Sequence, residues 1–261
     1  MWLSSRFSRR AAAIAAPLVT AAALVVPSAA SAAEFPLRAW WPLAEGSGQT
    51  VRDWSGKGNN GYLGSTTGAD SNDPTWIRGG IFGLGNALRF DGVDDFVTVP
   101  DSANLKPQQV TVSLWFRGSS SPGQYKYLFA RGGDACTATS YGLQTHFSGG
   151  LGFTIWDGSS VRNSGVADAT VWDGKWHHAA GTWDGTTAKL FIDGKEVPGS
   201  SPNPGEIDYQ GPSGDTILGG YHAGCDLLMR GDLDHVMVWS AALPVDTIWG
   251  NLSALFNRPR R

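Results

Sequence analysis

Asp173-Gly-Lys-Trp-His-His-Ala-Ala-Gly-Thr-Trp-Asp184-Gly-Thr-Thr-Ala-Lys-Leu-Phe-Ile-Asp193-Gly194 is the stretch that decides the fold. Two short apolar runs flank Asp184-Gly185, a pair suited to the positive backbone angles of a tight hairpin turn. Alternation at period two puts Trp176, His178, Ala180 and Thr182 on one face, and His177, Ala179, Gly181 and Trp183 on the other. The second run, residues 188–192, ends at another tight-turn pair, Asp193-Gly194. The stretch therefore predicts two antiparallel strands of a larger sheet.

The rest of the chain continues the pattern. Residues 38–43, with Trp40 and Trp41, predict a first strand, followed by a glycine-rich loop carrying Asp53, Asn59 and Asn60. Residues 65–79 are polar and show no pattern. Residues 87–90 and 96–99 predict a second hairpin around Asp91-Gly92-Val93-Asp94-Asp95. Val110, Val112, Leu114 and Phe116 alternate cleanly on one face, and residues 125–130, 141–147, 151–156, 161–166, 216–218 and 233–239 are further strand candidates. After Pro244, the spacing of Val245, Ile248, Trp249, Leu252 and Leu255 predicts one short helix. About a dozen short strands with Gly and Asp turns give an all-β fold, a two-sheet antiparallel jelly-roll sandwich with a short C-terminal helix.

Composition bounds what such a domain can do. Arg6, Arg9 and Arg10, an Ala-rich run and Ser31-Ala32-Ala33 predict a secretory signal over residues 1–33, cut before Glu34, with Sec and twin-arginine export both open. Pro17 and Pro27 interrupt the apolar run, so it falls short of the roughly 20 residues a span needs. Without the leader, 17 Lys and Arg face 23 Asp and Glu, a charge of about −6. That balance excludes the clustered cations of a nucleic-acid surface. The one basic cluster is a tail at residues 257–261, leaving residues 34–256 as a single domain, expected to be monomeric. Cys136 and Cys225, in an exported chain, are expected to pair as a structural disulfide.

Several pieces, in order, carry a resemblance. They are Trp41-Pro-Leu with Glu45-Gly46; Asp53-Trp-Ser-Gly-Lys-Gly-Asn59-Asn-Gly61; Ala87-Leu-Arg-Phe-Asp-Gly-Val-Asp-Asp95; Val112-Ser-Leu-Trp-Phe116; the Trp176–Gly194 hairpin; and Gly231-Asp-Leu-Asp234 before Val236. Together, from about residue 39 to 255, they resemble the laminin-G-like jelly-roll domains of the concanavalin A-like lectin/glucanase superfamily. The resemblance implies a sandwich that binds a glycan or an extracellular protein. It also implies a structural calcium ion, with Asp53, Asn59 and Asp234 as ligands beside backbone carbonyls near Gly58 and Gly61. The plain alternative is that Asp53 and Asn59 only cap turns.

Some members of that superfamily hydrolyse glucans with a Glu-x-Asp-x-(x)-Glu strand, and retaining hydrolysis needs two nearby carboxyls. The near match here, Glu206-Ile-Asp208-Tyr-Gln210, ends in Gln210, which cannot exchange the proton. Leu143-Gln144-Thr145-His146 faintly echoes the Gln-x-His strand of alginate-lyase-type jelly rolls, which also requires a Tyr base and basic partners. No catalytic residue is therefore assigned. Adjacent His177 and His178 point to opposite faces and are framework residues. Arg230-Gly231-Asp232 matches the integrin tripeptide, but its glycine coincides with the strand-entry glycine of the fold. For sugar stacking, Trp156 with Asp157, then Tyr125, Tyr141 and Trp172, are the aromatic candidates.

Overall fold

The computed structural model describes residues 37–133, 136, 139–210, 213–221, 225 and 227–256. Along the chain run β1 (Leu37–Trp41), β2 (Thr50–Val51), β3 (Gly61–Leu63), β4 (Thr75–Arg78), β5 (Asn86–Asp91), β6 (Val97–Val99), β7 (Val110–Arg117) and β8 (Tyr127–Gly133). There follow β9 (Tyr141–Thr145), β10 (Leu151–Trp156), β11 (Val161–Asn163), β12 (His177–Trp183), β13 (Ala188–Ile192), β14 (Lys195–Glu196), β15 (Ser213–Leu218), β16 (Arg230–Trp239) and α1 (Val245–Phe256). The strands make two antiparallel sheets. The first has the order β14-β13-β12-β7-β16-β5-β4, with β1 also on β16. The second has the order β11-β10-β9-β8-β15-β6-β3-β2.

The opening stretch forms the expected hairpin. Gly181 stands opposite Leu190, Trp183 opposite Ala188, and Gly185 takes the required positive φ of 93°. The Asp184 carboxylate closes the turn by accepting the Thr186 and Thr187 amides, each at 2.7 Å. Ala179 and Trp183 enter the core between the sheets. At Gly181 the sheets come so close that a Cβ would collide with the Phe153 ring on β10.

The opposite face of β12 is not left to water. Ala180 joins Phe191, Met237, Trp239, Leu243 and Ile248 in a second apolar cluster, so α1 lies on the outer face of the first sheet. Burying such side chains contributes roughly 1.5–3 kcal/mol each. That cover explains why β12 and β7 are buried on both faces despite a period-two pattern.

One expectation fails. Residues 87–90 and 96–99 do not form a hairpin: β5 pairs with β4 and β16 in the first sheet, whereas β6 pairs with β15 and β3 in the second. Leu88, Phe90, Val97 and Val99 all bury into the same core, entering it from opposite layers. The Asp-Gly turn between them is a corner, held by the Asp91 amide donating to Asp95 Oδ2 at 2.7 Å. The patternless segment 65–79 contains an edge strand, β4, which is only partly covered and too short to show alternation.

Cys136 and Cys225 are bonded to each other, 89 residues apart. Constraining a loop of that length stabilises by roughly 4–5 kcal/mol in the chain-entropy account. Cys225 packs with Tyr127, Ala130 and Tyr221 in a small cluster of its own. Among the described residues no helix is long and apolar enough to cross a membrane.

The two adjacent histidines have opposite environments. For His177, burial works against charge, but the Asp193 and Asp173 carboxylates at 2.6 and 3.1 Å prevail and raise its pKa. His178 is 1% exposed, with neither ring nitrogen hydrogen-bonded, between Trp115 and Trp249 at 5.4 and 5.2 Å. Burial pushes its pKa down from 6.5 to about 4, against a weaker pull from Asp193. The folded protein therefore refuses a proton that the unfolded chain accepts. The His178 contribution is complete above pH 6.5 and declines as pH falls to about 4. Urea unfolding at pH 7 and pH 4.5 should show a loss approaching roughly 3 kcal/mol from this residue. His178→Phe should flatten that decline, and an unchanged pH slope in the variant would refute the assignment.

Candidate functional site

The second sheet carries a recess on its outer face. Directly paired residues share a face, so Gln144 lies beside Gly152, and Thr154 beside both Gly142 and Asn163. Tyr141, Leu143, Phe153 and Ile155, on the alternate positions, fill the core. Glycine at 142 and 152 lets Tyr127, Thr139 and His146 lie close on the outward surface of β9 and β10. The result is a groove of about 400 Å³ whose lining includes Tyr125, Tyr127, Gln144, His146, Phe147 and Asn163. Cys136 and Leu227 border it, so the disulfide forms part of its wall.

Two features mark this groove as a recognition surface. Phe147 is 74% exposed, yet it is held in place: its ring meets Tyr125 edge-on at 5.1 Å, and its carbonyl accepts from Gln124 Nε2 at 3.1 Å. The His146 ring lies over Gly152, where a Cβ would stand 2.5 Å from Nε2. That nitrogen is buried without a hydrogen-bond partner, and burial lowers the pKa of the ring, keeping it neutral at pH 7.

A second recess, of about 470 Å³, opens on the outer side of the first sheet near Arg89, Arg117, Arg230, Asp91, Asp95 and Asp232. Its charges are already spent on each other. Asp232, 3% exposed, accepts from Arg89 Nε at 2.8 Å and from Arg117 Nη2 at 2.6 Å. Burial, opposed by the Asp91 amide and reinforced by the charges of Asp91, Asp94 and Asp73, raises the Asp95 pKa to about 6. The carboxylate of the Arg230-Gly231-Asp232 tripeptide is thus locked in the sheet.

The sequence candidates distribute unevenly over this geometry. Tyr125 lines the groove. Tyr141 does not, because parity turns it inward: it is 0% exposed, stacks on Phe129 and donates its hydroxyl to the Leu105 carbonyl at 3.0 Å. That corrects its reading as a surface aromatic. Trp172, 4% exposed, is also core and donates to the Gly149 carbonyl. Trp156 is half-buried at the end of β10, opposite the groove residue Val161. Asp157 caps the following turn through the Ser160 and Ser159 amides, which hold its carboxyl well below the usual range, and pairs with Arg162. Glu206 and Gln210 are exposed on a segment outside the strands, with Ile207 anchored by Gln108.

Of the calcium candidates, Asp53 and Asn59 meet in one loop. Asp53 accepts the Trp40 and Ser55 amides on one oxygen and the Asn59 amide on the other, at 2.8–3.0 Å. Asn59 Nδ2 donates to the Arg38 carbonyl at 2.7 Å, while Gly61 belongs to β3 and Gly58 takes a positive φ of 81°. This donor-filled loop does not fit a cation. Asp234 lies elsewhere, accepting the Ile81 amide on Oδ2 and His235 Nδ1 on Oδ1. Beside it, the space a Cβ of Gly80 would fill is ringed by Asp234 Oδ2 and by the carbonyls of Asn86 and Leu84, at 2.7 and 2.9 Å. That crowding admits only glycine at position 80. Phe147 and His146 escaped the sequence analysis as site residues. The signal for His146 was present: 142, 144 and 146 alternate with the core positions 141 and 143.

Three solved structures are similar to this chain. Domain 4 of AbnA, a GH43 extracellular arabinanase from Geobacillus stearothermophilus solved with arabinotriose, shares 19% identity at a TM-score of 0.60, over 81% of this chain and 96% of that one. The binding domain of Paraclostridial Mosquitocidal Protein 1 shares 13% at 0.63, over 85% of this chain and 53% of that one. The binding domain of botulinum neurotoxin DC, in complex with rat synaptotagmin II, shares 13% at 0.58, over 84% and 52%. The chain thus spans about half the length of each toxin structure, and at these identities the likeness is one of fold. No curated protein matches the sequence. Residues 91–248 match the laminin-G profile described as the Concanavalin A-like lectin/glucanases superfamily, and the chain belongs to that superfamily.

Proposed function

We propose that this chain is an exported, non-catalytic recognition module that binds a glycan or an extracellular protein through the groove on its second sheet. The observation that carries this reading is the groove itself, where exposed Phe147, braced by half-buried Tyr125, stands beside the amides of Gln144 and Asn163. Among the described residues its lining contains no Asp or Glu for the two carboxyls of a retaining or inverting glycosidase. Gln144 and His146 do share the groove with two tyrosines, the arrangement a lyase would want. A lyase must also neutralise a uronate carboxylate, and the described lining contains no Lys or Arg. Burial raises the pKa of the Tyr127 phenol, making it a poorer base still. The disulfide and the predicted leader support export.

The test is depletion of the folded protein from solution by insoluble polysaccharides and by immobilised extracellular proteins, with the supernatant assayed for sugar products. Binding without reducing ends or unsaturated products is expected. Sustained product release would overturn the non-catalytic assignment.

A calcium ion is part of the proposal, with Asp234 as the carboxylate that would hold it beside the loop before β5. Adding calcium to EDTA-treated protein should raise Tm by several degrees, and Asp234→Asn should abolish the increment. A Tm indifferent to calcium would remove the ion from the proposal.

A further inference from the structure

The groove's chemistry narrows its ligand beyond the recognition role on which this inference rests. We propose that it takes an uncharged oligosaccharide, with one sugar ring stacked on Phe147 and its hydroxyls on Gln144 and Asn163. Each part follows from what the groove presents and what it withholds.

An aromatic ring left largely in water forgoes the roughly 1.5–3 kcal/mol available from burial. Phe147 is nevertheless fixed by Tyr125 and by the Gln124 hydrogen bond to its carbonyl, so its face is a standing platform rather than a loose side chain. A pyranose or furanose ring offers a flat patch of C–H groups that such a platform covers. The hydroxyls on the ring's edge then need partners that both donate and accept. Primary amides provide both, and Gln144 and Asn163 reach the groove from the two strands that flank β10.

Charge decides the class. Of the described residues lining the groove, none is Asp, Glu, Lys or Arg. A uronate, sulfate or sialate carried into it would lose hydration with no counter-charge to replace it, whereas a neutral glycan loses nothing of that kind. A basic or acidic peptide is disfavoured for the same reason. A strand-adding peptide is disfavoured because the groove opens on the face of the sheet, where backbone groups are already paired.

Affinity electrophoresis tests this directly. The full chain is run through gels holding neutral polymers (arabinan, xylan, mixed-linkage glucan, galactomannan) and charged ones (polygalacturonate, alginate, chondroitin sulfate). Phe147→Ala and Gln144→Ala are run beside the wild type, with Arg230→Ala on the other sheet as a control. The expected result is retardation by at least one neutral polymer, weakened roughly tenfold by Phe147→Ala, reduced by Gln144→Ala and unchanged in the control. Retention in 0.5 M salt, on the order of a few ångströms of screening length, should match that at low salt. Preferential retardation by a charged polymer, abolished by Phe147→Ala, would overturn the neutral class while keeping the groove as the binding surface. Neutral retardation that survives Phe147→Ala would overturn the site. No retardation by any polymer, with capture by an immobilised protein that Phe147→Ala abolishes, would overturn the sugar ligand and keep the recognition role. No binding of either kind would overturn both.

Discussion

The distance between the two sheets is set where Gly181 on β12 meets the ring of Phe153 on β10. Any side chain at that position would force the layers apart by the width of a methyl group. Every large core residue around it, Trp183 and Phe116 from one layer and Phe129 and Tyr141 from the other, is sized to that gap. Packing at crystal-like density leaves no slack for such a shift. The hairpin from which the fold is first legible is therefore also the element that fixes how its two layers meet.

With the layers so joined, each sheet still has an outer face to dispose of, and the two are treated differently. The first sheet is covered. Ile248 of α1 packs on Met237, Trp239 and Phe191, and the loop before β5 brings Phe82 against Trp115. Even the buried histidine beneath α1 has its hydrogen-bonding groups enclosed by indole rings. The second sheet receives only the small cluster of Tyr127, Tyr221 and Cys225 beside the disulfide. Over β9 and β10 the outward Gln144 and Thr154 are themselves nearly enclosed, and the groove opens beside them toward Phe147 and Asn163.

Much of the fold was legible because its signals are local. Asp184-Gly185 and the alternation on either side specify a hairpin without reference to anything distant, and the i, i+3, i+4 spacing after Pro244 does the same for α1. The failure at residues 87–99 shows the limit. An Asp-Gly turn between two apolar runs looks the same whether it reverses the chain within a sheet or carries it across the core. Only the long-range pairing of β5 with β16 and of β6 with β15 distinguishes the two. The site was less legible for a related reason. Tyr141 and Tyr125 are equivalent as residue types, and strand parity separates them only once Leu143 and Ile155 are known to be core. Exposure of Phe147 depends on where β9 ends, which propensity cannot place to one residue.

Electrostatics then separates the two recesses. In the larger one, Asp232 is shared by two guanidiniums, Arg89 and Arg117, and Arg117 also lies over the Trp176 ring at 4.7 Å. Removing one partner of such a cluster leaves the other charge buried and uncompensated, which costs far more than an exposed pair is worth. A ligand that competed for those charges would have to dismantle the sheet edge that holds them. The smaller groove makes no such demand. Its unmet groups are neutral, its platform is rigid, and its walls hold no charge to be displaced, so occupying it leaves the fold's own interactions intact.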